Sequence, residues 1–235
     1  MNNGPLPPLH SDGDVVGNAS DAEADHGMDA DATSVLAVLR WIGIDADAHL
    51  VSRLLAYGRW LVQEALPAGG IGPHERNRVM QRHVADSLTF AAGFHGARAG
   101  RLIDVGSGVG LPGIPLAMAF PELEITLLDR SGRRVDLAQR AVRVLGLTNV
   151  SVVQGDAADV EPGWDLVTMR AVLPGASGID LVRRLVRRGG VGVIGASRVE
   201  APVPAAGERW GSDVEIIAIP GDVLDSPGWL LRIRP

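Results

Sequence analysis

The stretch Leu102-Ile103-Asp104-Val105-Gly106-Ser107-Gly108-Val109-Gly110-Leu111-Pro112-Gly113 decides the fold. A continuous apolar run enters a glycine-rich turn, and a helix is expected to follow. At such a junction glycine permits positive φ and lets the backbone approach a ligand at the carboxyl end of the strand. A dinucleotide loop of the form G-x-G-x-x-G would need glycine where Leu111 stands. A Walker loop would need Lys followed by Ser or Thr, and the chain has no lysine.

Short apolar runs alternate with segments of helical length outward from this point. Leu102–Val105, Ile125–Leu128, Val150–Val153, Leu166–Met169 and Val191–Ile194 read as buried strands, and Arg133–Leu145 and Ser177–Arg188 as helices between them. Apolar strands separated by helices are βαβ units, which predict a parallel sheet covered on both faces. Val214–Ile219 and Trp229–Ile233 follow, joined by a turn-like link over Pro220–Gly228. An antiparallel hairpin closing one sheet edge is the economical expectation.

Upstream, helical patterns begin after Thr33 or Ser34 and near Asp47, and the second breaks at Leu66-Pro67-Ala68-Gly69-Gly70. A third, after Pro73, carries Arg76, Arg78, Arg82 and His83 between apolar positions. The expected organisation is an acidic disordered tail over 1–31, a helical cap over 32–95 and an α/β domain over 96–235.

The formal net charge is −6, but it belongs to the tail. Residues 1–31 hold Asp12, Asp14, Asp21, Glu23, Asp25, Asp29 and Asp31 with no Lys or Arg, which leaves a surplus of one positive charge beyond them. The overall acidity therefore gives no argument against a nucleic-acid partner. The chain has no cysteine, so disulfides, thiolate metal sites and covalent sulfur catalysis are excluded. The acids and histidines show no metal spacing, and no metal is expected. No signal peptide or membrane span is expected either, and the reading is of a cytoplasmic monomer.

The glycine loop is D-x-G-x-G-x-G, with Asp104 two residues before Gly106 and glycines at Gly106, Gly108 and Gly110. Asp104 is expected near the amino-acid portion of a compact nucleoside ligand. Leu127-Leu128-Asp129 ends the second strand, where a carboxylate accepts from both ribose hydroxyls. Gln154-Gly155-Asp156 ends the third, where an acid can take the exocyclic amine of adenine. Three acids at three successive strand ends make one adenosine-shaped site with no pyrophosphate partner, the pattern expected for S-adenosylmethionine.

Exclusion narrows the methyl acceptor. Transfer to pyrimidine C5 uses a cysteine. Transfer to the adenine amine usually uses an Asn/Asp-Pro-Pro-Tyr/Phe turn, and Thr168-Met169-Arg170-Ala171-Val172-Leu173-Pro174 stands in its place. Hydroxyl methylation needs a base or a metal. Guanine N7 has a free lone pair and no proton to lose, so it needs alignment more than acid–base groups.

Arg82-His83-Val84-Ala85-Asp86-Ser87-Leu88, together with the glycine loop and its Leu111-Pro112-Gly113-Ile114-Pro115-Leu116 extension, resembles the RsmG (GidB) family of bacterial small-subunit ribosomal RNA guanine-N7 methyltransferases. The resemblance covers roughly 35–235. It implies a class I methyltransferase fold, Rossmann-like, with a mostly parallel seven-stranded sheet and a helical cap. It implies 16S ribosomal RNA in the small ribosomal subunit as partner and S-adenosylmethionine as cofactor. It places Gly106, Leu111 and the pair Ala157-Ala158 at the cofactor, and Arg170 at the border of cofactor and acceptor.

Together the expected cofactor residues are Asp104, Gly106, Gly108, Gly110, Leu111, Asp129, Asp156, Ala157, Ala158 and Arg170. The expected catalytic pair is Arg170 and His83, and the acceptor side is Arg82, His83, Arg133 and Arg134. Arg183, Arg184, Arg187 and Arg188 read as one helical face, and the tryptophans as packing residues. The segments 64–75 and 195–198, and Met169 before Arg170, depart from the family pattern. Two rival readings therefore stay open: a methyltransferase for a small molecule or protein, and a non-catalytic module that binds S-adenosylmethionine.

Overall fold

A computed structural model of the chain describes residues 32–94, 96, 100–170, 175–196, 200–204 and 210–235. The acidic tail over 1–31 lies outside them. A single sheet organises the rest: β1 (Gly100–Val105), β2 (Leu123–Asp129), β3 (Val150–Gln154), β4 (Trp164–Arg170), β5 (Val186–Gly195), β6 (Val214–Ile219) and β7 (Gly228–Ile233), in the order β3-β2-β1-β4-β5-β7-β6. β1 to β5 run parallel, and β7 is antiparallel to both β5 and β6. This is the expected class I architecture with its edge hairpin.

The topology sets where a ligand can sit. The chain winds outward from β1 to β3, then crosses back to β4 on the other side of β1. The order reverses between β1 and β4, and a crevice opens there beyond the carboxyl ends of the strands. Both sheet faces are buried. Leu102, Leu127, Leu166 and Val193 face one cluster, with α4 (Gly113–Ala119) and α5 (Gly132–Val144). Ile103, Val105, Val167 and Met169 face the other, with α6 (Gly175–Leu185). Alternate side chains of each strand thus enter opposite cores.

The N-terminal helices share the first cluster and have no separate core. These are α1 (32–41), α2 (Ala48–Trp60) and α3 (Asp86–Thr89). Val38, Leu54, Leu61 and Leu88 are fully buried among the side chains of β1, β2 and α4. Asp47 caps α2, accepting the Leu50 N–H at 2.7 Å. α2 runs into a wide π-helical turn over Leu61–Ala65. The expected third helix is broken into a 3-10 turn at Arg76–Arg78, a π-helical turn at Met80–Ala85, α3 and a 3-10 turn at Phe90–Gly93.

Two other expectations need correction. The helix expected over Ser177–Arg188 ends at Leu185, and β5 begins at Val186, paired with Trp164. Gly189 adopts a φ of 77°, and a Cβ at Gly190 would stand 2.7 Å from the Asp165 carbonyl oxygen. These two glycines let the strand press against β4 through an irregularity between Trp164 and Leu166. Arg187 and Arg188 therefore leave the helical face they were expected to share with Arg183 and Arg184. The link over Pro220–Gly228 is also more than a turn, because Gly221–Leu224 forms one helical turn, α7. No helix among the described residues is long and apolar enough to cross a membrane.

Candidate functional site

The glycine loop leaves β1 with Gly106 at φ 67°, Gly108 at φ 59° and Gly110 at φ 103°. All three lie in the region that L side chains avoid, which accounts for the alternating glycines. The Ser107 N–H donates to the Leu128 carbonyl at 3.0 Å, and the Leu111 N–H to the Ser107 carbonyl at 2.8 Å. From the cap, the Tyr57 hydroxyl donates to the Val109 carbonyl at 2.9 Å. Burial holds this phenol well above its usual pKa, so it stays a donor.

A cavity of about 630 Å³ opens beside the loop. Its wall brings together Gly106, Gly108 and Leu111 from the loop, Asp129 from the end of β2, Asp156, Ala157 and Ala158 after β3, Arg170 from the end of β4, His83 from the cap and Arg134 from α5. Most of the expected residues therefore converge from four successive strand ends.

Asp129 is 4% exposed and holds two backbone groups. Oδ2 accepts the Gly108 N–H and Oδ1 the Ser131 N–H, each at 2.9 Å. Each oxygen keeps a second lone pair for a ligand hydroxyl. Asp156 caps the 3-10 turn Ala157–Asp159, accepting the Ala158 N–H at 2.9 Å. The exposed Arg134 approaches Asp129 at 3.8 Å.

Four expected residues stand outside the cavity wall: Asp104, Gly110, Arg82 and Arg133. Strand alternation turns Asp104 into the first core beside Leu102, fully buried. Its Oδ2 accepts the Gly113 N–H at 2.8 Å and its Oδ1 the Thr168 hydroxyl at 2.9 Å. Asp104 thus ties the far end of the loop to β4 rather than meeting a ligand. Burial pushes its pKa up to about 7, against the lowering effect of those two hydrogen bonds. Gly110 is packed on Ile114, where a Cβ would stand 2.4 Å from Cδ1. The Arg133 guanidinium donates to the Ala68 carbonyl, joining α5 to the cap. Arg82 is half-buried in its π-helical turn.

His83 borders the cavity with a largely buried ring. Its Nε2 lies 3.5 Å from Glu75 Oε2, and neither ring nitrogen has a hydrogen-bond partner among the described residues. Desolvation, reinforced by the nearby Arg170 charge, lowers its pKa to about 4. The ring is neutral near pH 7, suited to hydrogen bonding and not to donating a proton as imidazolium. Arg170 reaches the cap, with Nη1 3.4 Å from Asp86 Oδ2.

Gly70, Ile71, Arg130 and Arg184 also line the cavity and are not among the expected site residues. The break at Gly69-Gly70 was the available signal: a Cβ on Gly70 would stand 2.5 Å from Val109 Cγ1, so the cap can close on the glycine loop only with glycine there. The basic groups of α6 and β5 are mostly held within the protein. Arg183 pairs with Asp213 and Asp180, and Arg187 with Asp165. Arg184 donates to the Val160 and Ala157 carbonyls at 2.8 and 2.6 Å. No metal-binding cluster of acids and histidines occurs among the described residues.

Comparison with known proteins agrees with this geometry. A mutant of MtNAS in complex with S-adenosylmethionine has a TM-score of 0.55 at 15% identity, covering 78% of this chain and 73% of that one. At that identity the likeness is one of fold. The Ribosomal RNA small subunit methyltransferase G of Acidothermus cellulolyticus is 39% identical over 138 residues, 59% of this chain and 61% of the relative. That of Corynebacterium efficiens is 33% identical over 194 residues, 78% of this chain and 83% of the relative. Residues 51–199 match the family GidB, rRNA small subunit methyltransferase G. The chain belongs to that family.

Proposed function

We propose that the protein transfers a methyl group from S-adenosylmethionine to N7 of a guanine in 16S ribosomal RNA, with the helices of residues 32–94 as a cap over the site. The observation that carries this reading is the single cavity in which the glycine loop, Asp129, Asp156 and Arg170 meet at the switch point of the sheet. Its volume and its acids fit an adenosine bearing a charged amino-acid tail. S-adenosylmethionine, when bound, supplies a methyl group on a positively charged sulfur.

The chain's own residues divide the binding. Gly106 and Gly108 line the wall, and Gly108, whose N–H is held by Asp129, leaves open space there: nothing lies within 4 Å of a Cβ built on it. Asp129 accepts from ribose hydroxyls through the lone pairs it does not spend on Gly108 and Ser131. Asp156 accepts from the exocyclic amine, and Leu111 and Ala157 give apolar surface. Arg170 and His83 face the acceptor side. The N7 lone pair forms the new bond to the methyl carbon as the carbon–sulfur bond breaks, with that electron pair returning to sulfur. The positive charge passes to the guanine ring and no proton moves, so a neutral His83 is no handicap. On the acceptor side, the exposed Arg130 and Arg134 can meet RNA phosphates.

Labelled-methyl transfer tests this directly. Purified small subunits, naked ribosomal RNA and a cell extract are each incubated with the protein and S-adenosylmethionine labelled in the methyl group. Label in 7-methylguanosine after digestion of the RNA is the expected result. Label confined to small molecules or protein would overturn the RNA assignment, and no labelled product at all would leave a binding module.

A further inference from the structure

A second, smaller cavity of about 170 Å³ lies against the first, and Arg170 lines both. Asp86, Phe90, Gly195, Ala196 and Trp229 are among the residues that complete it. It sits beyond the carboxyl ends of β4 and β5, on the side of Arg170 away from the glycine loop. Resting on the methyl-transfer reading above, we infer that this cavity receives the acceptor guanine, with Arg170 donating to O6, Asp86 accepting from N1–H, and Trp229 flanking the ring.

The order of the two charged groups carries the argument. Around a guanine edge the sequence of groups is N7, then O6, an acceptor, then N1–H, a donor. N7 must face the larger cavity, where the methyl group arrives. Arg170, which lines both cavities, is then placed beside O6, and Asp86, which lines only the smaller one, beside N1–H. Adenine in the same pose would turn its 6-amino donor toward the guanidinium and its bare N1 toward the carboxylate. Both contacts would be mismatched, so this arrangement selects guanine.

The contact between Arg170 Nη1 and Asp86 Oδ2 is 3.4 Å, long beside the roughly 2.7–2.9 Å of a charge-assisted hydrogen bond. The two groups present a donor and an acceptor side by side, at a spacing that a base edge can bridge. Their side chains are 21% and 16% exposed, so the pair is largely screened from bulk water.

Two aromatic side chains, Phe90 and Trp229, line the cavity. Trp229 is half-buried, and its carbonyl accepts the Ala196 N–H at 2.9 Å, which fixes the start of β7 against the end of β5. Phe90 is 1% exposed and forms the floor. Gly195 lets Phe90 and Arg170 pack closely on the end of β5: a Cβ there would stand 2.9 Å from Phe90 Cζ and 3.4 Å from Arg170 Cγ. Base–aromatic contact is a common device where a protein holds an unstacked base.

The placement also favours the reaction. As N7 gains the methyl group, the ring becomes cationic and N1–H more acidic. The hydrogen bond to the Asp86 carboxylate therefore strengthens toward the transition state, the kind of differential interaction that raises a rate.

The test uses the full chain, unmodified small ribosomal subunits as acceptor and S-adenosylmethionine as donor. Asp86→Asn and Trp229→Ala are each expected to lower kcat/KM for label into 7-methylguanosine by about tenfold or more. Affinity for S-adenosylmethionine by calorimetry is expected to stay within about twofold of the parent protein. Trp229→Phe, which keeps a flat ring, is expected to recover most of the loss, whereas a purely structural role for the indole would lower cofactor affinity together with the rate. Unchanged kcat/KM in both Asp86→Asn and Trp229→Ala would overturn the inference, as would a loss matched by weaker cofactor binding in both. If the parent protein labels no guanine, the methyl-transfer reading falls and takes this inference with it. The parent arm separates that outcome from failure of the pocket alone.

Discussion

Asp129 holds Gly108: the carboxylate Oδ2 accepts the loop N–H at 2.9 Å, joining the end of β2 to the turn that follows β1. One side chain therefore shapes the glycine loop and faces the cavity where a ribose is proposed to lie. Asp129→Ala removes the anchor and the ligand contact together. Affinity for S-adenosylmethionine is expected to fall by about 1–3 kcal/mol, roughly 5- to 150-fold in Kd. Calorimetry on the purified protein measures it, and an unchanged Kd would remove Asp129 from the ligand site.

Gly108 and Gly110 separate ligand space from packing. A Cβ on Gly108 meets nothing within 4 Å, whereas one on Gly110 would stand 2.4 Å from Ile114 Cδ1. Both φ values are positive, so alanine brings backbone strain of about 1–3 kcal/mol at either site. Gly110→Ala adds a steric clash inside the core and is expected to lower the melting temperature more. Gly108→Ala is expected to cost less stability and more cofactor affinity, because its methyl group enters the cavity. Thermal melts paired with calorimetry check the crossover, and equal effects of both variants on both readouts would contradict it.

The strands and the switch point were legible because apolar runs of strand length alternated with helical segments. The start of β5 was not. Val186 continues the apolar register of Val182 and Leu185, and only the pairing of Val186 with Trp164 shows where the helix gives way. The acids at the ends of β2 and β3 were legible since their places follow from the topology. Asp104 was misread for a definite reason: both faces of the sheet are apolar, so nothing in the pattern says which face an even-numbered position meets. Its partners, Gly113 and Thr168, come from two other elements. Asp86 and Trp229 lie far apart in the chain and meet only because β7 pairs back onto β5, so their shared cavity has no local signature.

Arg134 and Arg184 predict different salt behaviour, although both are exposed and both line the cavity. Arg184 spends two donors on the Val160 and Ala157 carbonyls. Among the described residues the Arg134 guanidinium makes only a 3.8 Å approach to Asp129. If ribosomal RNA phosphates meet this face, Arg134→Ala should reduce the slope of log K against log salt by about one. Arg184→Ala should leave that slope unchanged while disturbing the turn after β3. A salt titration of RNA binding measures both slopes. Equal slopes for Arg134→Ala and the parent protein would place Arg134 away from phosphate.

His83 and Asp104 predict opposite pH dependences of stability that partly cancel in the parent protein. Burial and the Arg170 charge lower the His83 pKa from 6.5 to about 4. Between those values the unfolded chain binds the proton and the folded one does not, so this contribution is present above pH 6.5 and is lost as pH falls toward 4. Burial raises the Asp104 pKa from 3.8 to about 7. Here the folded state holds the proton in the window, so the contribution is present below pH 3.8 and is lost as pH rises toward 7. The windows overlap over most of their width, and each slope reaches at most about 1.4 kcal/mol per pH unit. Stability should therefore vary little across the overlap in the parent protein. His83→Gln removes one titration and should leave stability falling as pH rises from about 5 to 6.5, while Asp104→Asn should leave it rising over the same range. Urea denaturation across that range measures both variants, and curves parallel to the parent in both would show that neither group titrates with its folded-state shift.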